Sequence, residues 1–290
     1  RLGVIKAMEY HKVISELRTN KNIKVSDLLG DNMSRSSYNR FISGKTDIYS
    51  QHLLALLDQL HVSFSELEYI ASGYNTSKED TFFLKVVLAA QAKDHEGLVL
   101  CYRQAQSLAQ PKHNDFYTHI LGALDLVISQ LKSQPYNLSD NALYTYLIQA
   151  FSWTDYEFKF FQLILPALSP AELEPFLAKI ERNLAKFGNA TPYNQKSFNL
   201  ICDIIFYFIQ HQNYVNASHY LTLLENYDLT ENLVYEKLLF TFFTNLKKLL
   251  LHQPANTWRR PLSKCIATAK FLDMPNLAEK FEQTILQITN

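Results

Sequence analysis

Turn-forming residues are so scarce in this chain that helices are what it can build. Seven glycines and nine prolines serve 290 residues, roughly half the share of an average globular chain. A β-sandwich or barrel needs a turn signal every ~8–12 residues and cannot be assembled from so few. Disorder is excluded separately, because 47% of the residues are hydrophobic and only 19% charged, ample apolar material for a core. The class expected is all-α.

All nine prolines lie beyond residue 110, and this divides the chain. Residues 1–75 are expected to form a domain of five short helices, and residues 76–290 a domain of longer ones. In the first, Ile5, Met8, Val13, Ile14 and Leu17 recur at helical spacing and predict a helix over 4–18. Val25, Leu28 and Leu29 mark a second, which closes at Gly30. Ser34 is a candidate N-cap for a third, which turns Tyr38, Phe41 and Ile42 inward and stops at Gly44. A fourth, over 50–60, buries Leu53, Leu54, Leu56 and Leu57. A fifth follows Ser63 or Ser65, with Ser65 and Glu68 as a capping-box pair.

Beyond residue 76, Pro111, Pro135, Pro170, Pro192, Pro254 and Pro275 fall where the apolar period resets. Helices are predicted at 78–92, 94–109, 113–133, 138–151, 154–167, 170–187, 191–212, 214–226, 231–252, 258–272 and 275–288. Ten of these form five pairs near forty residues each, and the eleventh caps the end. Helical solenoids repeat every ~34–47 residues. A superhelical tetratricopeptide-like repeat domain is therefore expected, although the explicit consensus is missing.

Net charge is zero, yet residues 1–45 hold nine Lys/Arg against four Asp/Glu. A basic end suits a polyanionic partner. The run Met33-Ser-Arg-Ser-Ser-Tyr-Asn-Arg-Phe-Ile-Ser-Gly-Lys45 follows a short helix and a tight turn, the layout of a helix-turn-helix. The helix after the turn enters the DNA major groove in that motif. Tyr38 and Phe41 would anchor it, leaving Arg35, Ser36, Asn39 and Arg40 on the opposite face, with Ser34 at its head. Arginine can fork onto guanine O6 and N7, and asparagine can pair with adenine N6 and N7. Lys45, just past the helix, and Lys24, at the start of the second helix, are placed for phosphates.

Residues 33–45, with the apolar helix 51–60 and Val62-Ser-Phe-Ser-Glu-Leu67, resemble the amino-terminal domain of the Rgg/GadR/MutR transcriptional regulators. That family shows an S-R-S-x-x-x-R-F-x-x-G-K run, which stands here from Ser34 to Lys45. Trp153-Thr-Asp-Tyr156-Glu157-Phe-Lys-Phe-Phe161 is similar to its W-x-x-Y-E-x-x-x-F segment. One stretch departs: Asn22-Ile-Lys-Val-Ser26 replaces a glutamine-bearing run, leaving Lys24 or Ser26 to make the phosphate contact. The resemblance implies a five-helix XRE-type helix-turn-helix joined to the repeat domain. It also implies a cytoplasmic, homodimeric quorum-sensing regulator of a Gram-positive bacterium. The partners implied are promoter DNA, a short peptide pheromone, a second copy of the chain and RNA polymerase.

A solenoid lines one face with the first helix of each pair. Helix 191–212 carries a polar stripe of Lys196, Asn199, Asp203, Tyr207 and Gln210 among Phe and Ile, and helix 231–252 carries Lys237, Thr241, Thr244 and Lys248. Helix 113–133 offers Thr118, Gly122, Asp125 and Ser129, and helix 154–167 offers Asp155, Lys159 and Gln162. Asparagine can bond both edges of an extended peptide, and lysines can meet a carboxylate. The peptide-binding set expected is Lys159, Gln162, Lys196, Asn199, Asp203, Tyr207, Lys237 and Thr241. Trp153, Tyr156, Glu157 and Phe161 are expected to brace helix pairs instead.

Catalysis finds no foothold. Nine histidines include no H-E-x-x-H, and seven glycines form no phosphate loop. No cofactor and no metal are expected. Cys101, Cys202 and Cys265 are widely spaced, without a C-x-x-C pair, and read as reduced core residues in a reducing cytoplasm. No stretch of eighteen apolar residues predicts a membrane span. The alternative expectation is a helical-repeat scaffold whose first domain does not bind DNA.

Overall fold

The computed structural model describes residues 8–109, 115–187 and 191–289, and among these there is no β-strand. The chain divides into two compact units, residues 1–85 and 86–290, with the division inside the helix Lys78–Gln91.

The first unit holds α1 (Tyr10–Asn20), α2 (Val25–Leu29), α3 (Arg35–Ile42), α4 (Ser50–Leu60) and α5 (Phe64–Ala71). Their apolar stripes meet in one core of Val13, Ile14, Leu28, Leu29, Tyr38, Phe41, Leu56, Leu57, Leu60, Leu67 and Ala71. α1 packs on α3 and α5, and α2 on α3 and α4. α2 ends at Gly30 with φ +47°, a left-handed backbone that costs glycine least. Three expectations are corrected. The first helix starts at Tyr10, Met8 and Glu9 being non-helical, and residues 4–7 lie outside the described residues. Leu54 is 54% exposed, because at 100° per residue it falls off the 53/56/57/60 stripe. The capping box of α5 pairs Ser63 with Glu66, whose carboxylate accepts from the Ser63 amide at 2.7 Å.

The second unit continues from α6 (Lys78–Gln91) with α7 (His95–Leu108), α8 (Asp115–Leu131), α9 (Ala142–Gln149) and α10 (Asp155–Ile164). A 3-10 turn (Leu165–Ala167) leads to α11 (Pro170–Phe187), α12 (Thr191–Gln210), α13 (Tyr214–Leu224), α14 (Val234–Leu250), α15 (Ala255–Phe271) and α16 (Pro275–Thr289). All eleven predicted helices are present. Pro111 falls outside the described residues, and α15 begins three residues before its predicted start, directly after Pro254. First helices of successive pairs pack in order, α8 on α10, α10 on α12 and α12 on α14. α16 then returns to touch both α12 and α14. Phe281 of α16 stacks on Phe242 of α14 with centroids 3.8 Å apart and planes within 8°, and Phe206 of α12 joins the same cluster.

The three cysteines are free and buried. Trp153 is fully buried against Phe158, Phe161 and Phe176, and its amide donates to Asn183 Oδ1 at 3.1 Å. Glu157 accepts from the Thr154 amide at 2.6 Å and from the Tyr146 hydroxyl of α9. His119 of α8 is 2.7 Å from the Tyr156 hydroxyl and stacks on Tyr146 at 4.4 Å. The W-x-x-Y-E-x-x-x-F segment thus braces α8, α9, α10 and α11.

Candidate DNA interface and candidate peptide groove

α3 owes its exposed face to what holds its other side. The Ser34 hydroxyl accepts from the Ser37 amide at 3.1 Å and caps the helix, while Tyr38 and Phe41 are buried. Burial also pushes the Tyr38 phenol above its ordinary pKa. Arg35, Ser36, Asn39 and Arg40 of this helix are left outward. Arg35, Ser36, Asn39, Arg40, Ser43 and Lys45 line one open depression. Gly44, with φ +69°, carries the chain from α3 to Lys45, and a Cβ there would lie 3.2 Å from the His11 ring.

The basic residues described between Lys12 and Lys45 sort into two sets. Lys12 pairs with Glu9 at 3.1 Å, Arg18 donates to the Ile23 carbonyl at 2.9 Å, and Lys21 donates to the Leu60 carbonyl at 2.6 Å. These are engaged within the unit. The side chains of Lys24, Arg35, Arg40 and Lys45 are exposed and make no bond to the described residues, and the same is true of Ser36 and Asn39. The structure therefore brings together Arg35, Ser36, Asn39, Arg40 and Lys45, with Lys24 heading α2. Ser34 differs from them, its oxygen being engaged by its own helix.

The stripe on α12 is built differently. Lys196 pairs with Asp155 of α10. Gln162 of α10 donates to Asp203 at 3.1 Å, and Lys280 of α16 approaches the other Asp203 oxygen to 3.5 Å. The Lys280 ammonium also sits 4.0 Å from the Phe206 ring centroid, a favourable cation–π geometry. Asn199 donates to Glu236 of α14 at 3.4 Å, and Gln195 donates to the same carboxylate oxygen at 2.6 Å. Gln162, Lys196, Asn199 and Asp203 thus form one cross-helix set over α10, α12, α14 and α16.

The other expected groove residues behave otherwise. Tyr207 is only 4% exposed and donates to the Leu168 carbonyl at 2.7 Å. Burial pushes its phenol up to about 12, with Glu172 adding to the shift. This corrects its placement on an open stripe: its ring is long enough to reach the turn after α10. Thr241 donates back to the Lys237 carbonyl at 2.7 Å within α14, so neither joins the α10–α12 set. Lys159 lies 5.7 Å from the Tyr156 ring centroid. The sequence reading missed Gln195, Glu236 and Lys280. Gln195 stands one turn from Asn199, a usable signal, whereas Glu236 reads as an ordinary first-turn acid.

Among the described residues, no group of three His, Cys, Asp or Glu is placed to hold a metal ion, and no helix is long and apolar enough to cross a membrane. Residues 102–283 match the family model for the HTH-type transcriptional regulator Rgg, C-terminal domain. The chain belongs to the Rgg family. Its members are transcriptional regulators and not enzymes. Among solved structures, the Rgg fold seen here is shared by a candidate transcriptional regulator from Listeria monocytogenes EGD-e, with TM-score 0.79, 15% identity and 97% of each chain covered. The SHP pheromone receptor Rgg2 of Streptococcus dysgalactiae follows at TM-score 0.72 and 17% identity, covering 95% of this chain and 98% of that one. PrgX, in its complex with cCF10, matches at TM-score 0.70 and 14% identity, covering 97% and 92%. At such identities the likeness is one of fold. No curated protein matches the sequence at a significant level.

Proposed function

We propose that this Rgg-family chain is a cytoplasmic, DNA-binding transcriptional regulator controlled by a short peptide, as in quorum sensing. In this reading residues 1–75 bind promoter DNA, and residues 76–290 bind the peptide and pair two copies of the chain. One observation carries it: the exposed side chains of Lys24, Arg35, Ser36, Asn39, Arg40 and Lys45 have no partner among the described residues, whereas Lys12, Arg18 and Lys21 do. Arg35 and Asn39 would read base edges, Ser36 and Arg40 would flank them, and Lys24 and Lys45 would meet phosphates. Ser34 acts at one remove, by capping the helix that presents them.

The peptide part of the reading draws support from Rgg2 and PrgX, described as a pheromone receptor and as a complex with cCF10. Asn199, Asp203, Gln162 and Lys196 would form the groove, with Lys159, Lys237 and Thr241 at its margins and Tyr207 behind it as support. Two copies reading half-sites about 34–36 Å apart, or a multiple, supply the selectivity one helix lacks. RNA polymerase is the remaining partner of such a regulator at a promoter.

Gel-shift titration of the full chain on promoter duplex tests the DNA arm. Affinity is expected to fall steeply between about 50 and 200 mM salt, through counterion release. Absence of duplex binding with or without peptide would favour a helical-repeat scaffold. Light scattering at micromolar concentration tests the dimer, and a monomer with and without DNA would overturn it.

A further inference from the structure

Glu236 opens α14 with only 3% of its surface exposed. Among the described residues no lysine, arginine or histidine is paired with it. Its partners are two neutral amides, Gln195 at 2.6 Å and Asn199 at 3.4 Å, both on the same oxygen. Beside them, Asn199 Oδ1 is cut off from solvent and has no donor among the described residues. Buried acceptors without donors are rare, and buried carboxylates normally have a cation. Here two acceptor groups lie together and both lack a charged donor.

Glu157, also buried without a paired cation, is satisfied by the Thr154 amide and by the Thr154 and Tyr146 hydroxyls. The other acids bonded to this cross-helix set differ from Glu236. Asp155 has Lys196, and Asp203 has Lys280. Both pairs are half-exposed, so water already screens them. Of the two partners of Glu236, Gln195 stands at the surface on a long side chain. A water molecule in its place would satisfy hydrogen-bond geometry but not charge. A charged donor would form bonds roughly twice as strong as neutral ones.

We propose that Glu236 and Asn199 Oδ1 form a cation-accepting subsite of the groove, which takes a protonated amine of the ligand in place of the Gln195 amide. This rests on the reading of residues 76–290 as a peptide receptor. The amine comes either from the peptide's amino terminus or from a lysine side chain.

The test uses the full chain and a synthetic octapeptide library without arginine, in three forms: free amines, acetylated amino termini, and all amines acetylated. Retained peptides are counted by mass spectrometry after affinity selection. Free-amine peptides are expected to be retained at least tenfold over the fully acetylated form. The form acetylated only at its termini identifies the source: lost retention means the terminus, and kept retention a lysine. Glu236→Gln is expected to abolish the preference, while Glu181→Gln on α11, whose carboxylate is bonded to His219 and to none of the groove residues, keeps it. Gln195→Ala removes the competing amide and is expected to raise the preference, and this arm decides the matter if Glu236→Gln does not fold. Equal retention of free and acetylated peptides by wild type, or an unchanged preference in Glu236→Gln, overturns the subsite alone. Retention of no peptide in any form overturns the receptor reading and the subsite with it.

Discussion

The outward face of α3 and the stripe of α12 carry similar residues and treat them in opposite ways. On α3 the arginines and the asparagine are exposed, and their side chains make no bond to the described residues. On α12, Lys196, Asn199 and Asp203 each hold a partner on a neighbouring helix. A partner meeting α3 displaces water alone. One meeting α12 has to exchange bonds already present, so its net gain is the difference between two sets of contacts. The first face therefore suits a polyanion met at many sites. The second suits a ligand whose arrival alters how helices are tied together.

Mutations sharpen that contrast. The largest effect is expected from Arg35→Ala, which removes a base-edge fork at a cost of about 1–3 kcal/mol, roughly a 5- to 150-fold loss on the specific duplex. Its melting temperature should stay put, since no internal bond is lost. Equal losses on specific and random duplexes would mean that α3 does not read sequence. Next in size, Asp203→Ala and Asn199→Ala should weaken peptide binding about tenfold, each bond to a charged group being worth roughly 1.5–3 kcal/mol. Because the Asp203–Lys280 pair is half-exposed, its removal should cost about 1 kcal/mol or less of stability. Collapse of the fold in Asp203→Ala would make the stripe a purely structural network.

Two smaller effects follow. Lys45→Ala should weaken binding to all duplexes alike and lower the logarithmic salt slope by about one. A base-dependent loss would move Lys45 from the phosphates to the bases. The smallest effect is expected at His119 of α8, beside Tyr146 and Tyr156. Burial holds its pKa below the ordinary 6.5, with Asp115 and Glu157 pulling the other way. The unfolded chain therefore takes up a proton below about pH 6.5 that the folded chain resists. Stability should fall as pH drops from that value towards the folded pKa and be unaffected above it. His119→Gln should flatten this decline in thermal melts between pH 7 and 5.5, and an unchanged decline would assign it to other groups.

Element positions were largely legible in the sequence because Gly30, Gly44 and the prolines end helices by local backbone rules. The face of α3 was legible for a similar reason: Tyr38 and Phe41, three apart, leave only one side for Arg35 and Asn39. Partnership across helices was not. Asn199 and Asp203 belong to one stripe at a period of about 3.6, but nothing in that period says that Glu236 or Lys280 will face them. That depends on how far each helix pair rotates against the last. Tyr207 shows the same limit, since a tyrosine on a polar stripe can bury its ring and reach a distant carbonyl.

The return of α16 to α12 has a consequence for how the repeat unit comes apart. In an open solenoid, stability sums over adjacent repeats, and the array can unzip from either end one unit at a time. Here Phe281 is stacked between helices that belong to two earlier pairs, which breaks nearest-neighbour additivity. Backbone amides of α12, α14 and α16 should accordingly exchange with solvent as a single cooperative block. Fraying from the carboxy-terminal end has to open three helices together before it can open one.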